Sequence, residues 1–292
     1  MKKIIVSGAG GQLGRELQAT CPDTVDALFL DRHQFDITDA RAVGELVNHH
    51  QPFALINAAA YTAVDSAEHE PVRASSINIE GPANLATACA NNGTRFLHVS
   101  TDFVFPGRSS TPYKTSDLTE PLSIYGKTKL SGEVAVRAAN GRSIIVRTGW
   151  VYSRFGSNFV KTMLKLIASR ESLGIVADQV GTPTWANGLA KALWEIALTE
   201  STSGIYHYSD AGVCSWYDFA HAIADEASRL GMVDNVARIL PITTADYPTP
   251  AARPAYSVLD KSRCWGELNL PAIHWRDQLR AMLNDYKEHG DA

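Results

Sequence analysis

Two side chains four positions apart, Tyr125 and Lys129, carry the clearest catalytic signature in this chain. On a helix that spacing puts both on one face. Free tyrosine titrates near 10, and a lysine ammonium about 4 Å away, at an effective dielectric of about 20, favours the phenolate by up to roughly 4 kcal/mol. A tyrosine so placed serves as acid or base near neutral pH. Thr101, in the run Ser100-Thr101-Asp102, is the candidate for a hydroxyl that bonds and polarises the same substrate oxygen. The Tyr-Lys spacing alone is a weak signal, and its weight comes from lying just behind the end of a predicted strand, where a doubly wound sheet puts its chemistry.

A second group supplies a place for a dinucleotide. Gly8, Gly11 and Gly14 lie between the first predicted strand and the first predicted helix. A turn there needs positive φ and a backbone with no Cβ in the way of a pyrophosphate, while the helix amino terminus offers free N–H groups. Gln12 and Leu13 open that helix. Asp31 closes the second strand about 20 positions on, where an acidic residue meets the adenosine ribose. Asp31 favours a free 2′-hydroxyl and the adjacent Arg32 a 2′-phosphate, so NADH and NADPH both stay open. Asp36 and Ile37 either flank the adenine or form the N-cap region of the next helix.

Rival motifs fail. Gly126-Lys127-Thr128 resembles the end of a P-loop, but Pro121 stands where its first glycine belongs. There is no GxSxG elbow and no HExxH, and the neighbours His49 and His50 cannot share a helix face, so no metal site is expected.

The elements that must position these residues are legible. Short apolar runs at 3–7, 27–30, 54–57, 96–100, 144–147 and 205–208 read as buried parallel strands. Between them, 12–19, 40–49, 72–90, 123–138 and 183–198 have helical spacing, as do 158–168 and 216–229 later on. The alternation predicts an α/β fold, a doubly wound parallel sheet of the Rossmann type. Residues 1–150 are expected to form the dinucleotide-binding domain. Residues 151–292 are expected to give the last strands and a smaller lobe that closes over a ligand, with the chain crossing between lobes.

The chain has 292 residues, 27 basic against 31 acidic and a net charge of −4, so no basic face for nucleic acid is expected. Cys21, Cys89, Cys214 and Cys264 form no CxxC pair and read as buried thiols of a cytoplasmic protein. The apolar run behind Met1-Lys2-Lys3 is too short for a signal peptide, and no stretch is long enough to span a membrane.

The motifs Gly8-Ala9-Gly10-Gly11-Gln12-Leu13-Gly14, Asn57-Ala58-Ala59-Ala60-Tyr61, Ser100-Thr101-Asp102-Phe103-Val104-Phe105 and Tyr125-Gly126-Lys127-Thr128-Lys129 resemble the extended short-chain dehydrogenase/reductases. Nearly end to end, through Thr148-Gly149-Trp150, Gly181-Thr182-Pro183-Thr184 and Ala252-Arg253-Pro254, the chain is similar to the dTDP-4-dehydrorhamnose reductase family within them. The resemblance implies hydride delivery from NADPH or NADH to C4 of a dTDP-linked 4-keto-6-deoxy sugar, giving dTDP-L-rhamnose. It implies Tyr125 as the proton donor, Lys129 on the nicotinamide ribose and Thr101 completing the triad. Gly11, Gln12 and Leu13 would lie on the pyrophosphate, Asp31, Asp36 and Ile37 near the adenosine, and Ala59, Ala60 and Tyr61 along the cofactor. Asp102 and Trp150 would contact the sugar, with Arg253 on the nucleotide diphosphate. Phe103 departs from a frequent tyrosine. Glu16 matches one of the glutamates around which some members dimerise through magnesium, but Asn187 replaces a later acid, so a monomer or a metal-free homodimer is expected. Two alternatives stay open: a reductase of another nucleotide 4-keto sugar, and a dinucleotide-binding regulatory subunit resembling the non-catalytic partner of methionine adenosyltransferase.

Overall fold

The structure, a computed structural model, describes residues 1–234, 236–268 and 270–290. The first half alternates strand and helix: β1 (Lys2–Ser7), α1 (Gln12–Ala19), β2 (Val25–Leu30), α2 (Ala40–His50), β3 (Ala54–Asn57), α3 (Gly81–Asn91), β4 (Arg95–Thr101), α4 (Ile124–Ala139) and β5 (Ile144–Thr148). Then follow α5 (Phe159–Ser169), β6 (Ser172–Val176), α6 (Ala186–Leu198), β7 (Gly204–His207), α7 (Trp216–Arg229), β8 (Arg238–Ile242) and α8 (Trp275–His289). Six strands form one parallel sheet in the order β7-β5-β4-β3-β1-β2. Ile4, Ile5 and Val6 are wholly buried because helices cover both faces of a central parallel strand. From β1 the chain goes one way to β2 and then the other way to β3, and the crevice beyond the carboxyl ends of β1 and β3 is where such a sheet binds ligands.

A second core lies apart from the large sheet, where Tyr152, Val160 and Met163 pack on Phe219, Ile223, Trp275 and Leu279. Between these segments α6 and β7 return to the large sheet. Leu189, Leu193 and Trp194 bury against Ile4, Val6, Ile56 and Val146.

Two predicted helices differ in form. The pattern at 72–90 is interrupted: a turn of α-helix at Pro71–Ser75 passes through a π-helical turn at Ser76–Glu80 before α3. The extra residue turns Asn78 inward, where its side chain clamps the Tyr61 backbone, accepting from N at 2.9 Å and donating to O at 3.1 Å, and donates to Thr128 Oγ1 at 3.1 Å. Gly132 faces the Asn78 carbonyl so closely that a Cβ there would sit 2.0 Å from the oxygen. The pattern at 183–198 starts as helix only at Ala186, because Thr184–Trp185 pairs in parallel with Val151–Tyr152. β6 and β8, which carry no alternating pattern in the sequence, form a separate parallel pair.

All four cysteines are free thiols, and Cys89, Cys214 and Cys264 are buried. Among the described residues no helix is long and apolar enough to cross a membrane.

Candidate active site

The glycine turn is a cradle enforced by sterics. Gly8 has φ +80°, and a Cβ on it would fall 2.5 Å from the Ala59 nitrogen; one on Gly14 would fall 2.2 Å from the Gly8 carbonyl oxygen. These two glycines therefore close the β1–α1 turn onto itself and onto the segment after β3. Gly11 donates to the Gly8 carbonyl at 3.1 Å and is the N-cap of α1, with no side chain to satisfy the first-turn N–H groups. Those N–H groups and the helix dipole fit an anion.

A cleft of about 860 Å³ opens above this turn, lined by Gly8, Gly11, Asp31, Arg32, Asp36 and Ile37 on one side and by Ala59, Ala60 and Tyr61 on the other. Its shape and lining fit a dinucleotide. Gln12, Leu13 and Gly14 lie behind it: Gln12 accepts from Asn158 Nδ2 at 3.0 Å, and Leu13 packs on the core. The Asp31 carboxylate accepts from the backbone N–H groups of His33 and Gln34, so it shapes its own loop. Asp36 does the same with Thr38, and Ile37 fills the space left by the missing side chain of Gly81.

The proposed acid stands next to this cleft. Gly126 lets the first turn of α4 press onto the Asp102–Val104 turn, where a Cβ would be 2.4 Å from the Phe103 oxygen. That contact delivers Tyr125 to the turn that follows Thr101 and to Tyr61, with which it packs. The Phe103 ring meets the Tyr125 ring edge-on with centroids 5.5 Å apart. Thr101 Oγ1 donates to Asp102 Oδ1 at 3.1 Å and accepts from the Phe103 N–H at 3.2 Å. Asp102 is buried, and burial pushes its carboxyl up to about 6 against the opposing effect of the Ser257 and Thr101 hydroxyls. Gly149 leaves it room, since a Cβ there would fall 2.5 Å from the carboxyl group.

The expectation that Lys129 brings Tyr125 toward neutrality is corrected by the structure. Burial pushes the Tyr125 phenol up to about 12; the nearby Thr101 hydroxyl works against that rise, and the Asp102 carboxylate adds to it. Lys129 is itself buried, and burial lowers it to about 8 against the attraction of Glu133. Its Nζ donates to the Val99 carbonyl at 2.8 Å and lies 3.3 Å from His98 Nε2. The lysine is thus on the right helical face, but in a dry niche that costs an ammonium its hydration.

The chain as a whole matches known proteins. A family profile described as the RmlD substrate binding domain covers residues 1–288. A dTDP-4-dehydrorhamnose reductase of Aggregatibacter actinomycetemcomitans is 43% identical over 287 residues, 96% of this chain and 98% of the relative. The chain belongs to the dTDP-4-dehydrorhamnose reductase family. Among solved structures, a dTDP-4-dehydrorhamnose reductase of Clostridium acetobutylicum superposes with a TM-score of 0.91 at 40% identity, covering 98% of this chain and 99% of that one. That of Bacillus anthracis, solved in complex with NADP, gives 0.90 at 36% identity, covering 97% and 99%.

Other residues singled out by the resemblance to this family are placed as follows. Trp150, in the left-handed region at φ 50°, stacks on Trp216 at 3.5 Å with the planes 3° apart, under Gly181. Arg253 is held in a two-pronged pair with Asp65, at 3.0 and 2.7 Å, so its guanidinium already bridges the loop after β3 to the 249–253 segment. Glu16 is buried: one carboxylate oxygen accepts from Ser153 Oγ at 2.6 Å and the other from Asn187 Nδ2 at 2.9 Å.

What motif reading missed is a polar layer beneath the site. Strand register sets Ser7, Asn57 and His98 side by side across β1, β3 and β4, and Ser100, Arg147 and His207 side by side across β4, β5 and β7. From α4, Lys129 reaches the first row and Glu133, one turn on, the second. Glu133 pairs with Arg147 Nη2 at 2.6 Å and Nε at 2.9 Å, and accepts from Ser100 Oγ at 2.6 Å. The available signal was polar residues inside strands that must be dry, notably His98 in Phe96-Leu97-His98-Val99.

Proposed function

We propose that the chain catalyses reduction of the C4 keto group of dTDP-4-dehydro-L-rhamnose to dTDP-L-rhamnose with NADPH or NADH, as a monomer or homodimer in the cytoplasm, supplying nucleotide sugar for cell-surface polysaccharide. Its family membership supports this activity, and the relative solved with NADP supports the cofactor. The observation that carries the reading is the placement of Tyr125, pressed by the Gly126 contact onto the turn that follows Thr101 and packed on Tyr61 of the cleft whose floor is the Gly8–Gly14 turn.

When bound, reduced nicotinamide supplies the hydride. The chain's own residues do the rest. The first-turn N–H groups of α1 hold the pyrophosphate, and Asp31 and Arg32 meet the adenosine end. Thr101 orients the keto oxygen by hydrogen bonding, and Tyr125, protonated because burial holds its phenol near 12, gives its proton to that oxygen as charge develops. Asp102 and Trp150 border the sugar, and Arg253 lies toward the diphosphate. The division at about residue 150 into a dinucleotide-binding part and a sugar-binding part belongs to the same reading.

The test is turnover of the 4-keto sugar nucleotide followed by loss of reduced-nicotinamide absorbance, with Tyr125→Phe alongside. The expected loss in kcat is about 10²- to 10⁴-fold with dinucleotide binding retained. A Tyr125→Phe rate equal to the parent's would overturn the assignment.

A further inference from the structure

Ser7, Asn57, His98 and Lys129 form one buried hydrogen-bonded file, and its direction can be read from the single member whose role is fixed. The backbone N–H of Ala59 can only donate, and it points at Asn57 Oδ1 from 3.0 Å; Ser7 Oγ donates to the same atom at 2.9 Å. That atom is therefore the amide oxygen, and the Asn57 NH₂ group faces His98 Nδ1 at 3.1 Å. An amide nitrogen only donates, so Nδ1 must accept and carries no proton. The His98 ring is wholly buried, which disfavours the imidazolium and holds its pKa well below the ordinary value. Its one proton then sits on Nε2, 3.3 Å from Lys129 Nζ.

An Nε2–H aimed at Nζ can bond a lone pair, which only the neutral amine has. The amine can meanwhile donate to the Val99 carbonyl at 2.8 Å, so every group in the file is satisfied. An ammonium would set N–H against N–H. The other charged groups around Lys129 do not reverse this. Glu133, one turn along α4, favours the ammonium but is already bonded to Arg147 and Ser100. Tyr125, one turn before, is a neutral phenol; Asp102 acts on Tyr125, and His207 lies beyond Arg147.

We propose that Asn57, through the tautomer it imposes on His98, favours the neutral amine of Lys129 over its ammonium, making Asn57 and His98 positioning residues for the Tyr125–Lys129 pair. The file is a property of the free protein; only its use in tuning the proton donor rests on the reductase reading.

Two measurements on the cofactor-free, full-length chain test it. In wild type, ¹⁵N spectra of the His98 ring are expected to show Nδ1 as the bare, pyridine-type nitrogen and Nε2 as the protonated one. With lysine labelled at Cε, the resonance that disappears in Lys129→Met is expected to titrate near 8, against about 10.4 for ordinary lysine. Asn57→Asp replaces the NH₂ donor by an acceptor, turns His98 to its Nδ1–H form and bares Nε2. The Lys129 midpoint is then expected to rise by about one pH unit or more, together with exchange of the two ¹⁵N signatures. A wild-type ring protonated on Nδ1, or a Lys129 midpoint at the ordinary value, overturns the proposal even if the Asn57→Asp chain does not fold. A raised midpoint without the tautomer exchange assigns the effect to added charge and overturns it as well. Neither readout uses the sugar: no turnover with these signatures intact removes the reductase reading alone.

Discussion

The ground beneath Tyr125 and the ground beneath Trp150 are built from different materials. Under Tyr125 lie directional contacts between buried polar groups, with Glu133 and Arg147 only 3% and 4% exposed. Under Trp150 lies a pile of rings: Trp216, then Phe159 with centroids 4.6 Å from it, then Phe219 at 5.6 Å, then Trp275 at 5.8 Å. Beside this pile the buried Glu226 is met by the half-exposed Arg280 and Arg276. Stacked rings slide over tenths of an ångström at little cost, whereas a row of hydrogen bonds fails if strand register slips. Atoms that must hold or move a proton sit on the row, and the face offered to the sugar in our reading sits on the pile.

This contrast can be broken from either side. The largest expected effect is in the polar layer. Arg147→Met strands a buried Glu133 carboxylate and is expected to cost about 3–5 kcal/mol in urea denaturation, while adding Glu133→Leu recovers much of that loss. A single-variant cost below about 1 kcal/mol would show the row to be loose.

Next comes Asp102. Its carboxyl titrates at about 6 in the fold against 3.8 without the protein environment, so below about 4 it adds stability, and that stability is lost as pH rises toward and through 6. Asp102→Asn, which needs no proton, is expected to be more stable than the parent at pH 7 by up to about 3 kcal/mol. The gain should fade to nothing by about pH 4, seen as converging urea midpoints. An equal difference at both pH values would place the effect elsewhere.

The smallest effect belongs to the rings. Trp216→Leu keeps apolar bulk but removes the partner of Trp150, and about 0.5–1.5 kcal/mol of stacking should be lost from the lobe. Our reading expects a several-fold rise in KM for the sugar nucleotide with dinucleotide affinity unchanged. A fall in dinucleotide affinity would mean that the two regions are not separable in this way.

How far the sequence reveals this design depends on the range of the interaction. The six sheet strands are legible because each is a short apolar run that parallel packing demands, and the Gly8–Gly14 turn because only glycine tolerates those contacts. The motifs around Thr101 and Tyr125 and the lining of the cleft above the glycine turn lie close together in the fold. The π-turn at Ser76–Glu80 is hidden, since one inserted residue leaves the apolar pattern almost intact. The electrostatics of Lys129 are hidden too, because helical spacing gives the face but not the dielectric, and the partners Val99 and His98 arrive from another strand. Arg253 looks free in sequence, while its counter-charge Asp65 is 188 residues away.

Glu16 shows how such long-range pairing constrains inheritance. Its carboxylate is met by a hydroxyl from Ser153 and an amide from Asn187, with no positive charge among these two partners. An acid at 187 would set two anions face to face across the seam between α1 and α6 and would require a cation between them. In this chain the Asn187 amide avoids that repulsion and ties α1, which carries the glycine turn, to α6.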